Sequence, residues 1–196
     1  MRLIVLRHGR TAWNVQGRLQ GRVDIDLDPV GRREVSDWRC PEGWRDLPCW
    51  VSPLRRARQT ADLLGRDDVR VAPELIEMDW GSFEGHRLVD LRVEHGADLA
   101  TNEARGLDFR PPGGESPREV MARLVPWLRS RADGREGALV VTHKGVRRAL
   151  LALASGWDMR GPPPFKVGND AALELEVDVS GRPTVVGVVA LRGCHA

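Results

Sequence analysis

The sequence predicts a layered α/β fold on a mostly parallel sheet. Short apolar runs rich in β-branched residues recur along the chain, helical patterns fall between several of them, and a tight turn joins two strand-like segments near the end. The runs "LIVL" (Leu3–Leu6), "CWV" (Cys49–Val51), "VRVA" (Val69–Ala72) and "ALVVT" (Ala138–Thr142) read as buried strands, because continuous apolar stretches of this length suit a sheet covered on both faces. Helical patterns cover Leu54–Leu64, Ser116–Arg131 and Val146–Ala154. The second opens on Ser116-Pro117, a hydroxyl suited to the N-cap followed by a proline suited to the first helical position. Strands are expected over Ala172–Val177 and Thr184–Ala190, joined by the turn "SGRP". Alternating strands and helices imply a parallel sheet, and the closing pair implies a mixed edge. At 196 residues, with no repeat, linker or low-complexity tract, the expectation is one domain over residues 1–196.

Composition narrows the function classes. The formal net charge is only +2, which gives no reason to expect nucleic acid. The tryptophans are expected in the core or in pocket walls rather than on a stacking platform. Arginine supplies nearly all the positive charge; Lys144 and Lys166 are the only lysines. Cys40, Cys49 and Cys194 are odd in number and form no CxxC pair, which argues against a disulfide framework and a structural zinc site. No apolar run reaches the length of a membrane span. "RLIVL" is too short for a signal peptide, so the cytoplasm is the expected location.

The strand ends carry the functional signal. "LIVL" runs into Arg7-His8-Gly9, "CWVS" into the arginine-rich "PLRRARQTA", and "ALVVT" into His143-Lys144. In such sheets ligands bind at the carboxyl ends of strands. Three strands therefore bring Arg or His to one edge, which favours an anion, with phosphate the obvious one. Arginine presents a planar fork of donors that matches phosphate oxygens. Gly9 permits a sharp turn, and helix starts add N–H groups and a positive dipole end. A neutral imidazole in such a cage can attack phosphorus, while arginines and a second His stabilise the equatorial oxygens. A carboxylic acid must then protonate the leaving alkoxide.

"LRHGRTAWN" resembles the signature of the histidine phosphatase superfamily, the phosphoglycerate-mutase-like proteins. The stretches "GRLQGRVDIDLDPVG", "SPLRRARQTA", "LIEMDWGSFEG", "PPGGES" and "VVTHKGVRRALL" resemble further blocks of that family in the same order, so the resemblance spans essentially the whole chain. It implies a three-layer α/β/α sandwich, no metal or other cofactor, and a phosphohistidine intermediate. It implies His8 as nucleophile, Arg7 and Arg56 as phosphate ligands, His143 as the second phosphate-binding histidine and Glu77 as proton donor. Asp79 and Glu84 compete with Glu77 for that last role. Asn14, Gln20 and Gly21 align with positions lining the phosphate or substrate, where a turn-stabilising role is the alternative. Arg55 and Arg58 are expected to be solvated neighbours of Arg56, and His86, His95 and His195 surface residues.

Two positions depart from the family pattern. Arg10 stands where an acidic residue is common, adding positive charge near the expected pocket mouth. Lys144 stands where many members have glycine; its ammonium either reaches a second anionic group on the substrate or is a solvated helix-start lysine. The implied function is hydrolysis of a small phosphorylated metabolite. The compact "HRLVDLRVEHGADLATNEARGLDFR" favours a phosphatase of the α-ribazole or broad-specificity kind over the alternative, a phosphoglycerate mutase. A non-catalytic phosphate-binding domain is the non-enzyme alternative. The sequence leaves the oligomeric state open, a homodimer being one arrangement it allows.

Overall fold

The computed structural model describes residues 1–133 and 137–191; Cys194 and His195 lie outside the described residues. Strands β1 (Arg2–Arg7), β2 (Cys49–Val51), β3 (Val69–Val71), β4 (Ala138–Thr142), β5 (Ala171–Val177) and β6 (Pro183–Ala190) form one sheet in the order β3-β2-β4-β1-β5-β6. The first four of that order pair in parallel, while β5 and β6 are antiparallel at one edge. The mixed sheet follows from the connections: the tight turn after β5 allows only an antiparallel return.

Helices cover both faces and make three layers. Leu3 and Val5 of β1 face a core shared with α5 (Pro117–Ala132) and α6 (Lys144–Ser155), to which Leu91 and Leu99 of α4 (Leu88–Glu103) also belong. Ile4 and Leu6 face the other core, with Val35 of α2 (Pro29–Ser36) and Ala57 and Ala61 of α3 (Arg55–Leu63). This period-2 division of a wholly apolar strand is why "LIVL" shows no polar side. No described helix is long and apolar enough to cross a membrane.

One strand differs from expectation. β3 is an edge strand: Val69 is half-buried, while Arg70 and Val71 are exposed. Three helices carried too weak an apolar pattern to be read. The short α1 (Ala12–Gln16) rests on a Thr11/Asn14 capping box, and α2 on its Asp28 cap. The sixteen residues of α4 are broken at Gly96 (φ 48°) and bury only Leu91 and Leu99. By contrast, Ser116 caps α5 reciprocally with Glu119 and Pro117 occupies its first turn.

Helix α2 holds the loop after β1. Two glycines, Gly9 and Gly31, let the surfaces meet: a Cβ on Gly9 would lie 2.5 Å from Val35 Cγ2, and one on Gly31 would lie 2.2 Å from the Arg10 carbonyl oxygen. Gly31→Ala is therefore expected to destabilise the protein by about 1–3 kcal/mol, since the obstruction is backbone. Urea unfolding checks this; an unchanged midpoint would mean that α2 does not brace the loop.

Candidate active site

Parallel pairing brings the predicted groups together. Arg7 is opposite Thr142 in the β1–β4 register, and Val51 is opposite Val141 in β2–β4. The residues that follow, His8, His143 and Ser52, therefore leave three adjacent strands at one edge. Strand spacing of roughly 4.8 Å agrees with the 5.1 Å between the His8 and His143 ring centroids.

Both histidines are buried. His8 Nδ1 lies 2.7 Å from the Gly9 carbonyl oxygen. A carbonyl only accepts, so Nδ1 carries the hydrogen and Nε2 the lone pair. His143 Nε2 lies 2.6 Å from the Ser52 hydroxyl, which accepts the Leu54 N–H at 3.3 Å. Burial is the main cause that pushes both imidazoles well below the ordinary histidine value; Arg7 and Arg56 then push His8 further, and Arg56, His8 and Arg7 push His143. Both rings are neutral near neutral pH.

Two arginines face this pair. Arg7 donates to Asn169 Oδ1. Arg56 is almost wholly buried and donates to the carbonyls of Val23 (2.8 Å) and Gly21 (2.7 Å). Burial lowers both guanidinium values, an effect that the Glu77 charge opposes. Arg7 Nε, Arg56 Nε and His143 Nδ1 are buried without a hydrogen-bond partner among the described residues. Leaving such groups unmatched costs about 1–3 kcal/mol each, and an anion between them would supply acceptors. Of the arginines at the start of α3, Arg56 alone is buried; Arg55 pairs with Asp24 and Asp26, and Arg58 is exposed.

The carboxylates also separate. Glu77 is buried on the cavity wall, its oxygens accepting the Met78 N–H (2.8 Å) and the Gly145 N–H (3.1 Å). Asp79 accepts the Gly81 N–H at 2.8 Å and pairs with Arg22. Glu84 accepts the N–H groups of Arg22 (2.7 Å), Val23 (3.0 Å) and Trp80 (3.2 Å). Neither competitor lines the cavity.

That cavity has a volume of about 700 Å³, and Arg7, His8, Arg56, Glu77, Asn14, Gln20, Gly21 and Lys144 all line it. Asn14 borders the cavity and also stabilises the turn, its Oδ1 accepting the Thr11 N–H at 3.1 Å. Gln20 is buried with Oε1 unpartnered among the described residues. Leu19, Met78, Trp80, Leu88, Phe109 and Met159 give the cavity an apolar wall. Two of the expected contacts do not line the cavity: His143, wholly buried beside His8 with Nε2 on Ser52, and Arg10. Arg10 pairs through Nε (2.9 Å) and Nη2 (3.2 Å) with Asp28, the cap of α2.

Other contributors were missed. Thr60 accepts the Gly9 N–H at 2.9 Å, bracing the loop that carries His8. Thr142 donates to the Leu75 carbonyl at 2.7 Å, tying β4 to the segment that leads into Glu77. Arg147 is buried and donates to the carbonyls of Val167 (2.8 Å), Gly168 (2.9 Å) and Ala171 (3.1 Å), fixing the loop that presents Asn169. Burial, followed by Arg7, lowers its value to about 10. An arginine amid the apolar residues of "VRRALL" was the available signal. His86 and His95 are on the surface; Trp38, Trp44 and Trp127 are in the core.

Comparison with known proteins agrees with this geometry. The family model of the histidine phosphatase superfamily (branch 1) matches residues 3–189. The chain is 35% identical to a 2,3-bisphosphoglycerate-dependent phosphoglycerate mutase of Methylobacterium sp. (strain 4-46), over 79% of this chain and 80% of the mutase. It is also similar to the crystal structure of TTHB049 from Thermus thermophilus (TM-score 0.75, 32% identity, covering 97% of this chain and 100% of that one). A mycobacterial glucosyl-3-phosphoglycerate phosphatase, solved with VO3, is 30% identical with a TM-score of 0.71, covering 89% of this chain and 92% of that one.

The buried histidines give folding a pH dependence of definite sign. Their folded values lie below the ordinary histidine value of 6.5, so over the interval between the two the unfolded chain binds more protons. Stability is then present above about 6.5 and lost as pH falls toward the folded values. The Tm of phosphate-free protein should fall between about pH 7.5 and 5.5, and fall less in His143→Gln, which cannot titrate. Equal slopes in the two proteins would contradict the burial argument.

Proposed function

The chain belongs to the histidine phosphatase superfamily, branch 1, and from that premise we propose that it hydrolyses phosphomonoesters of small metabolites through a phosphohistidine on His8. The observation that carries this reading is the His8 Nδ1 hydrogen bond to the Gly9 carbonyl at 2.7 Å, which leaves Nε2 as the nucleophile. The lowered proton affinity of the ring keeps that lone pair available.

Nε2 attacks phosphorus in line. The N–P bond forms as the bond from phosphorus to the ester oxygen breaks, and the electron pair leaves on that oxygen. Glu77, as the carboxylic acid, gives it a proton and the alcohol departs. Arg7, Arg56 and His143 stabilise the charge spread over the equatorial oxygens. Glu77, now a carboxylate, then takes a proton from water as the water oxygen attacks phosphorus. The N–P electron pair returns to Nε2, and inorganic phosphate leaves. Asn14, Gln20 and Gly21 border the bound ester.

A mutase is the second reading, favoured by the relative named for that activity. Compactness does not separate the two, because the aligned region is nearly the same fraction of this chain and of that mutase. Cavity volume supports hydrolysis. A mutase must hold its acceptor against the phosphoenzyme and exclude water, whereas about 700 Å³ leaves space for water beside a three-carbon acid. With 3-phosphoglycerate and its bisphosphate primer, phosphate release should exceed isomerisation; efficient formation of 2-phosphoglycerate would reverse this ranking.

Labelled ester should leave alkali-stable, acid-labile phosphate on the wild-type protein and none on His8→Ala; label retained by that variant places the nucleophile elsewhere. Glu77→Gln should lower kcat/KM for alkyl phosphates by about a hundredfold or more, and far less for aryl phosphates, whose leaving groups need little protonation. A leaving-group-dependent loss in Asp79→Asn instead would transfer the role to Asp79.

A further inference from the structure

The cations on the cavity are not all matched by the protein. Arg7 donates to Asn169 and Arg56 to two carbonyls, while Arg18 donates to Gln16 and the Gly85 carbonyl and Arg92 to Glu103. Lys144 and Arg148 also line the cavity, but among the described residues neither side chain donates a hydrogen bond or pairs with a carboxylate. Arg148 lies over the Trp157 ring, 4.8 Å from its centroid.

Their placement opposes helix stability. Lys144 is the first residue of α6 and Arg148 stands one turn later on the same face. Like charges at this spacing repel, and a cation at a helix N-terminus opposes the dipole. Lys144 is exposed at the cavity rim, yet partial loss of hydration, with Arg7, Arg148 and Arg147 nearby, holds its ammonium below the usual value. Of the cavity's carboxylates, Glu103 is bound to Arg92, and Glu77, whose oxygens accept backbone N–H groups, offsets part of this lowering through its charge without pairing with Lys144. An anion supplied by the substrate would offset the repulsion between the two cations and the opposition to the helix dipole.

We propose that Lys144 and Arg148 form a specificity site for a second anionic group on the substrate, separate from the phosphoryl group held at His8. This rests on the phosphomonoesterase reading and narrows its substrate class. The alcohol portion bears a carboxylate or a second phosphate, with its carbon body against the wall made by Trp80 and Phe109. On this proposal Lys144, exposed at the start of α6 on the rim of the cavity, is a specificity-determining departure from the family's glycine.

The test reads binding without turnover. Isothermal titration compares a four-carbon alkylphosphonate with its ω-carboxylate and ω-phosphono counterparts. Wild-type protein should bind at least one anionic analogue about tenfold or more tightly than the alkyl one, and the favoured analogue identifies the anion. The preference should vanish in Lys144→Gln, shrink in Arg148→Gln and persist in Lys144→Arg. Equal wild-type affinities, or a preference that survives both neutral variants, overturns the proposal. So does an equal loss for all three ligands in Lys144→Gln, which would assign the lysine to the transferred phosphoryl group. Phosphate release from aryl phosphate by the same preparation reports separately on the hydrolase reading.

Discussion

The parallel register between β1 and β4 is the constraint on which the site depends. Pairing Arg7 with Thr142 puts His8 and His143 at the same level on neighbouring strands, and β2 on the far side of β4 brings Ser52 to the second histidine. No loop flexibility is needed to bring the two imidazoles within 5.1 Å. A slip of one residue would turn every side chain of β1 to the opposite layer. Leu3, Val5, Ile4 and Leu6 divide between two cores, so the packing that stabilises the sheet also fixes the geometry of the chemistry.

Burial at this edge has one electrical consequence. Arg7, Arg56, Arg147, His8 and His143 are all displaced toward their less charged forms, with desolvation the leading cause in each. The arginines keep their charge and the histidines do not. The result is a fixed positive cage around a neutral His8, the combination that the proposed attack on a phosphate dianion requires. The protein satisfies the arginines with carbonyls and amide oxygens, which hold a guanidinium in place without cancelling its charge. A carboxylate partner would fix the position equally well but would occupy the ground that an incoming phosphate must take. On the proposed function, the stability lost through unmatched buried donors would be recovered when phosphate binds, where it would appear as affinity.

What the sequence made legible follows from the length scale of each interaction. Strand and helix periods, the Ser116-Pro117 cap and the strand-end Arg and His residues are local signals, and the structure brings those residues to one edge. Asp28-Pro29 at α2 was an equally local start signal that went unread. β3 was misread as buried because an apolar run does not say whether a strand lies inside a sheet or at its edge. Arg10 was placed at the pocket because charge was considered without its partner: Asp28, eighteen residues on, holds it elsewhere. Ser52, Asn169 and Arg147 were missed for a related reason. Their roles come from contacts across 91, 162 and 20–24 residues of sequence, and a serine, an asparagine and an arginine have many uses.

The division of labour among three acids shows how such long-range contacts decide a role that residue type leaves open. Glu77, Asp79 and Glu84 lie within eight residues and are chemically equivalent in isolation. Glu84 turns toward the loop between α1 and α2 and gathers the N–H groups of Arg22 and Val23. A Cβ on Gly21 would lie 1.8 Å from Glu84 Oε1, and φ there is +51°, so both the approach of Glu84 and the backbone conformation favour glycine for reasons unrelated to ligand contact. The same loop turns the carbonyls of Gly21 and Val23 onto Arg56. Glu84 thus positions an arginine of the cage from outside the cavity. Asp79 is taken by the Gly81 turn and Arg22. Glu77 alone of the three meets the start of α6, where Gly145 has no Cβ to displace its carboxylate. Two acids serve the architecture, and the third lines the cavity with His8.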